Sequence, residues 1–142
     1  GANMTLDIAE QGEYQFVFDA SDLNNVTLKV LNAEMFAQTP VFIRGSLNGW
    51  GTDNPLMYEG NAVYSTSIEL EAGDYEFKVA SEDWSTVDYG GAGDAPVATI
   101  GELTSLEAIG ANIALNITEQ GTYTFKVIGP DRENVSILIN KQ

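Results

Sequence analysis

Any chemistry in this chain must be done without histidine or cysteine. Neither occurs among its 142 residues, so Ser-His-Asp and Cys-His catalysis, zinc–thiolate sites and His-ligated metals are excluded within it. A carboxylate pair remains formally open, with 21 Asp and Glu to draw on. Glu82 and Asp83 are adjacent, but they lie in the polar run Ser81-Glu82-Asp83-Trp84, where nothing would raise a carboxyl pKa for general acid work. Asp83, Asp88 and Asp94 fall at spacings that match no calcium loop. A solvated acidic loop accounts for all of them.

Two aromatic residues are more informative. Trp50 closes the turn Gly45-Ser46-Leu47-Asn48-Gly49-Trp50, and Trp84 follows Ser81-Glu82-Asp83. Both are large apolar side chains in polar, turn-forming surroundings, where simple core burial is not what the neighbours favour. Lys78 lies six residues before Trp84, in Gly73-Asp-Tyr75-Glu-Phe77-Lys78. In a strand, Tyr75 and Phe77 share one face and Lys78 takes the other. Lys126 occupies the same place in a related stretch that has no tryptophan near it, so a plain solvated lysine is the competing reading for Lys78.

The elements that position these residues read as short strands. Candidates are Met4–Ala9, Val26–Leu31, Val41–Gly45, Val63–Leu70, Gly73–Val79, Pro96–Ile100, Ile113–Thr118 and Val135–Ile139. Turn pairs punctuate them: Asn48-Gly49, Gly60-Asn61, Ala72-Gly73, Gly90-Gly91 and Gly129-Pro130. Glu102–Ile109 alone has helical promise. The signature Gly-x-Tyr-x-Phe occurs three times, at Gly12, Gly73 and Gly121, and marks a half-buried strand entered from a tight turn. Many short strands with regular turns predict an all-β, antiparallel immunoglobulin-like β-sandwich.

One of those signatures belongs to a longer repeat. Residues from Ala2 align without a gap to residues from Ala111, at a constant offset of 109, through Glu-Gln-Gly, Tyr, Phe and a later Asn-Val. A fixed-period repeat denotes a duplicated structural unit. Residues 1–37 are therefore expected to be the tail hairpin of a preceding repeat or an N-terminal extension, and residues 38–142 a complete module. Gly1-Ala2-Asn3 reads as the interior of a longer tandem protein; one domain carrying two similar hairpins is the alternative.

Val41–Trp50 followed by Val63–Trp84 resembles the starch- and glycogen-binding β-sandwich modules appended to amylases, pullulanases and branching enzymes, and the glycogen-binding domain of the AMP-activated kinase β subunit. The resemblance spans about Thr39 to Ile117, and the repeated tails extend it toward the tandem modules of pullulanase-type enzymes. It implies a carbohydrate-binding site formed by Trp50, Lys78 and Trp84, with Asn112 at the start of a late strand. The loop after Trp84 has no counterpart in the family pattern, and Asp88 and Tyr89 are its candidate contributions. A neutral α-1,4-glucan as partner, an attached catalytic domain elsewhere in the parent protein, no cofactor, and a secreted or cell-surface bacterial setting are what the family implies.

Elementary chemistry is consistent with that partner. Each glucose has an apolar C–H face on which an indole can stack, and Lys and Asn side chains can bond the ring hydroxyls. Two indoles at an angle suit a curved glucan. The net charge of −15 disfavours nucleic acid and anionic membranes but is indifferent to a neutral sugar. No apolar run reaches the ~20 residues that cross a bilayer. Two other classes stay open at this point: a structural spacer with buried tryptophans, and a carboxylate-pair enzyme.

Overall fold

A computed structural model describes residues 3, 5–7, 14–20, 26–32 and 34–142. Among them run twelve strands: β1 (Tyr14–Asp19), β2 (Thr27–Asn32), β3 (Val41–Gly45), β4 (Met57–Gly60), β5 (Val63–Leu70), β6 (Gly73–Ser81), β7 (Asp88–Gly91), β8 (Val97–Ala98), β9 (Leu103–Ala108), β10 (Ile113–Ile117), β11 (Gly121–Ile128) and β12 (Val135–Lys141). A single 3₁₀ turn, Ser46–Asn48, follows β3. Among the described residues, β1 and β2 pair only with each other. The other ten strands join in the order β4-β5-β11-β12-β9-β7-β6-β10-β8, with β3 added beside β6. All pairs are antiparallel except β8 with β10.

The path doubles over into an all-β sandwich, as the sequence predicts. Alternation decides which residues it encloses. Phe77 and Val79 of β6, Ile113, Leu115 and Ile117 of β10, Phe125 and Val127 of β11, and Ile137 and Ile139 of β12 are all buried. Phe77 meets Phe125 edge to face across the two layers, with ring centroids 5.6 Å apart. Met35 and Phe36 are buried in the same core, and the Phe36 N–H donates to the Tyr64 hydroxyl at 3.0 Å.

Several expectations are corrected. Glu102–Ile109 is no helix: Leu103–Ala108 forms β9, hydrogen-bonded to β12 on one flank and to β7 on the other. Two ready-made ladders outweigh a weak local helical preference. Gly90-Gly91 is not a turn but part of β7. A Cβ on Gly90 would lie 2.3 Å from the Gly110 and Ala111 carbonyl oxygens, so the glycine permits close backbone approach. The Pro96–Ile100 strand shortens to Val97–Ala98. Met57–Gly60, which carries no strand signal of its own, is recruited as a partner for β5. Residues 5–7 of the Met4–Ala9 strand carry no strand structure, and the rest of it lies outside the described residues.

The core makes a stability prediction. Phe125→Ala should cost about 3–5 kcal/mol in denaturant unfolding. Its repeat counterpart Phe16, 58% exposed, should tolerate Phe16→Ala within about 0.5 kcal/mol.

Candidate functional site

Every residue of Gly45–Trp50 has an identifiable task. Gly45 lets β3 lie tight on β6, since a Cβ there would sit 2.2 Å from the Glu76 carbonyl oxygen. The Ser46 hydroxyl accepts the Glu76 N–H at 3.0 Å, continuing the ladder where β3 ends. Leu47 packs against the core. The Asn48 side chain pins the turn: its Oδ1 accepts the Gly45 N–H, and its Nδ2 donates to the Ile43 carbonyl and to Asn54 Oδ1. Gly49 and Trp50 then both take the left-handed conformation, with φ of 64° and 63°. That costs glycine nothing, but it strains a tryptophan by on the order of 1 kcal/mol or more.

The second loop is built by a different device with the same outcome. The Ser81 hydroxyl donates to Asp83 Oδ1 at 2.6 Å, and the Ser85 and Thr86 N–H groups donate to the same oxygen. The Thr86 hydroxyl donates to Asp83 Oδ2 at 2.6 Å. These bonds, Ser81's first and then Thr86's, hold the Asp83 carboxyl well below the usual carboxylate range. Asp83 is thus the organiser of its loop, the opposite of a proton donor poised for catalysis. The loop leaves Trp84 left-handed as well, at φ 61°.

These two strained tryptophans meet. Their ring centroids are 6.0 Å apart with planes inclined at 47°, the angled pair anticipated from the sequence. Neither ring stands fully clear of the protein, because both are half-buried. The reason is Arg44, which the sequence reading does not single out. Its guanidinium lies 3.9 Å above the Trp84 ring centroid. Its Nε and Nη2 both donate to the Trp50 carbonyl, at 3.0 and 2.6 Å, and its Nη1 donates to the Ser81 and Glu82 carbonyls at 2.9 Å each. One buried cation therefore joins the two loops and backs one indole. The available signal was alternation: Val41 and Ile43 face inward, so Arg44 faces outward beside the turn.

The other predicted residues share that outer face with differing freedom. Lys78 is directly opposite Arg44 in the β3–β6 register, and its Nζ is 2.5 Å from Asp88 Oδ1, with only 12% of its side chain exposed. Lys78 is thus already paired, whereas the Arg44 guanidinium stacks on Trp84 and bonds the Trp50 carbonyl. Asn112 is exposed just before β10, next to the Ile113–Phe77 pair, with its Nδ2 3.4 Å from Glu76 Oε2. Asp88 and Trp84, together with Thr86, Ile109 and Arg132, also line an open groove of about 600 Å³. Tyr89, of the same loop, turns inward and is buried; its hydroxyl donates to the Arg132 carbonyl at 2.8 Å. No cluster of three or more acidic side chains suited to a metal ion occurs among the described residues.

With this geometry in hand, the chain was compared with known proteins. No protein-family model matches it, and no curated protein matches it. Among solved structures, the ligand-induced structure of AmyP-SBD aligns with a TM-score of 0.58 over 99% of this chain and 95% of that one, at 17% sequence identity. The chain shares the fold of AmyP-SBD. That likeness concerns backbone architecture, and the side chains of the site must be judged on their own geometry.

Two predictions follow from the clamp. Arg44→Ala should cost about 1–3 kcal/mol of stability, because part-buried carbonyls lose their donors. It should also abolish the near-UV circular dichroism expected of two coupled indoles. Arg44→Lys should restore little, since an ammonium cannot reproduce the planar fork or its stack on Trp84. The pH dependence of the Trp84 loop has a definite sign. Asp83 titrates below its ordinary 3.8, so its support is complete above that pH and fades as pH falls toward the depressed folded value. The indole signal should stay flat from pH 7 to about 4 and weaken only below. In Asp83→Ala it should already be weak at neutral pH.

Proposed function

We propose that this chain is a non-catalytic module that binds α-glucans such as starch, glycogen and malto-oligosaccharides. The observation that carries this reading is the tryptophan pair. Two half-buried indoles, each on a strained left-handed backbone, are held together at an angle on one outer face by a buried arginine. Strain of this kind persists where surrounding structure over-determines it, and such sites cluster at ligand clamps. A tilted aromatic pair offers apolar faces to successive sugar rings of a curved chain, and the groove beside Trp84 is of ligand-binding size.

The fold likeness adds support from a second direction, since AmyP-SBD is an amylase starch-binding domain. Asn112 supplies a polar contact to sugar hydroxyls on the same face, and Lys78 does so on release from Asp88. The mechanism is tethering: a module of this kind holds an attached glycoside hydrolase against its polymer and raises the local substrate concentration. The family resemblance adds a secreted or cell-surface bacterial enzyme as the parent. The acidic surface suits a neutral polymer and opposes nucleic acid or an anionic membrane.

Binding should be weak, on the order of 10⁻⁵ to 10⁻³ M for maltoheptaose, because few anchors must order a flexible, hydrated ligand. Calorimetry with maltoheptaose, cellohexaose and xylohexaose checks this; equal heats with all three, or none with any, refute it. Trp50→Gly and Trp84→Gly are the sharper variants, because glycine relieves the positive φ while deleting the ring. Each should weaken binding by about 1–3 kcal/mol, as aromatic hot spots do, while relief of backbone strain offsets part of the lost packing. A variant that melts far below wild type yet still binds starch would assign its tryptophan to structure alone.

A further inference from the structure

The N-terminal hairpin repeats the register and the alternating apolar pattern of the C-terminal one in different surroundings. In β1–β2 the pairs are Tyr14–Asn32, Phe16–Val30 and Phe18–Leu28; in β11–β12 they are Tyr123–Lys141, Phe125–Ile139 and Val127–Ile137. Each pair maps onto its counterpart at the offset of 109 residues, so the register repeats along with the apolar pattern. In the sandwich, β11 is flanked by β5 as well as β12, and β12 by β9, and their inward faces are sealed. In β1–β2 the phenylalanines at the matching positions lie open. Phe16 is 58% and Phe18 66% exposed, against 0% for Phe125 and Val127. Leu28 and Val26 are exposed where Ile137 and Val135 are buried. Leu6, upstream, is 50% exposed where Leu115 of β10 is at 1%.

A two-stranded ribbon with an open aromatic face is marginal in water. Its residue pattern specifies what would cover it, because the same pattern is covered once already in this chain. We propose that β1 and β2 are closing strands of a second sandwich of this same type, and that their apolar face and outer edges receive that sandwich's counterparts of β5 and β9. The partner is a body equivalent to residues 34–109, joined directly ahead of Gly1, where the repeat places Ile109 before Gly110. This assignment is independent of what the module binds.

The experiment extends the full chain by a second copy of residues 34–109 inserted immediately before Gly1. The added copy has no closing hairpin except β1–β2. The expected result is a monomer in which the added copy resists protease and contributes its own dispersed amide resonances. Hydrogen exchange at β1–β2 should slow by roughly 100-fold or more relative to the original chain. Phe16→Ser with Phe18→Ser in the extended chain should unfold the added copy while leaving the melting of residues 34–142 unchanged. An added copy that is digested away, leaving the original chain intact, overturns the proposal. So does equal protection of β1–β2 and β11–β12 in the original chain, which would mean that the hairpin already packs on its own module. Dimers of the original chain that the same double substitution dissolves, with the added copy remaining protease-sensitive, would assign the face to exchange between copies and likewise overturn it.

Discussion

A guanidinium taken out of water must have its donors met, and Arg44 meets them with backbone carbonyls and an aromatic face. Four of its five N–H groups are spoken for by the Trp50, Ser81 and Glu82 carbonyls, and its plane lies over Trp84. Those carbonyls belong to the two loops that carry the tryptophans. The charge cannot be satisfied unless both loops adopt the conformations that bring the indoles together. The left-handed geometry at Trp50 and Trp84 is therefore not a local accident. It is the shape the two loops must take to solvate a buried cation, and the strain is offset by bonds to a charged donor, the stronger class of neutral-acceptor hydrogen bonds.

The surrounding loops are held to this constraint by their own side chains as well as by the core. Asn48 replaces missing ladder bonds in one, and the Asp83 carboxylate gathers hydroxyl and amide donors in the other. Both are short side chains that bond the backbone near them, the property that makes Asn and Asp good turn residues. The sheet beneath supplies rigidity. Phe77 and Val79 anchor β6 in the core, and the residues between them face outward beside β3 and β10. The proposed binding surface, built on strand faces and tightly pinned loops, would lose little freedom on meeting a ligand.

Charge is used sparingly here. The chain has six Lys and Arg, and several have internal partners: Arg44 in the clamp, Lys78 with Asp88, Lys141 with Glu119, and Arg132 with the Met35 carbonyl. The exterior is correspondingly acidic. The two hairpins make a related point about burial. Strands with the same register and a similar apolar alternation are core in one place and exposed in the other, so burial belongs to the neighbours a strand acquires and not to the strand.

The sequence by itself determined the class of the fold and the strand faces of the module, because period-two alternation and turn residues act within a few positions along the chain. The three Gly-x-Tyr-x-Phe strands and the inward set of β10 and β12 were legible for that reason. Tertiary structure decided what depends on distant partners. Glu102–Ile109 became a strand because β12 and β7 offered it two ladders, and Gly90-Gly91 served close backbone approach where a turn was expected. Arg44 was invisible as a site residue because its partners lie up to 38 positions away, and the ion pair of Lys78 with Asp88 likewise needs a residue brought in by the fold. A buried charge takes its meaning from the whole set of groups that solvate it, and only the folded chain brings that set together.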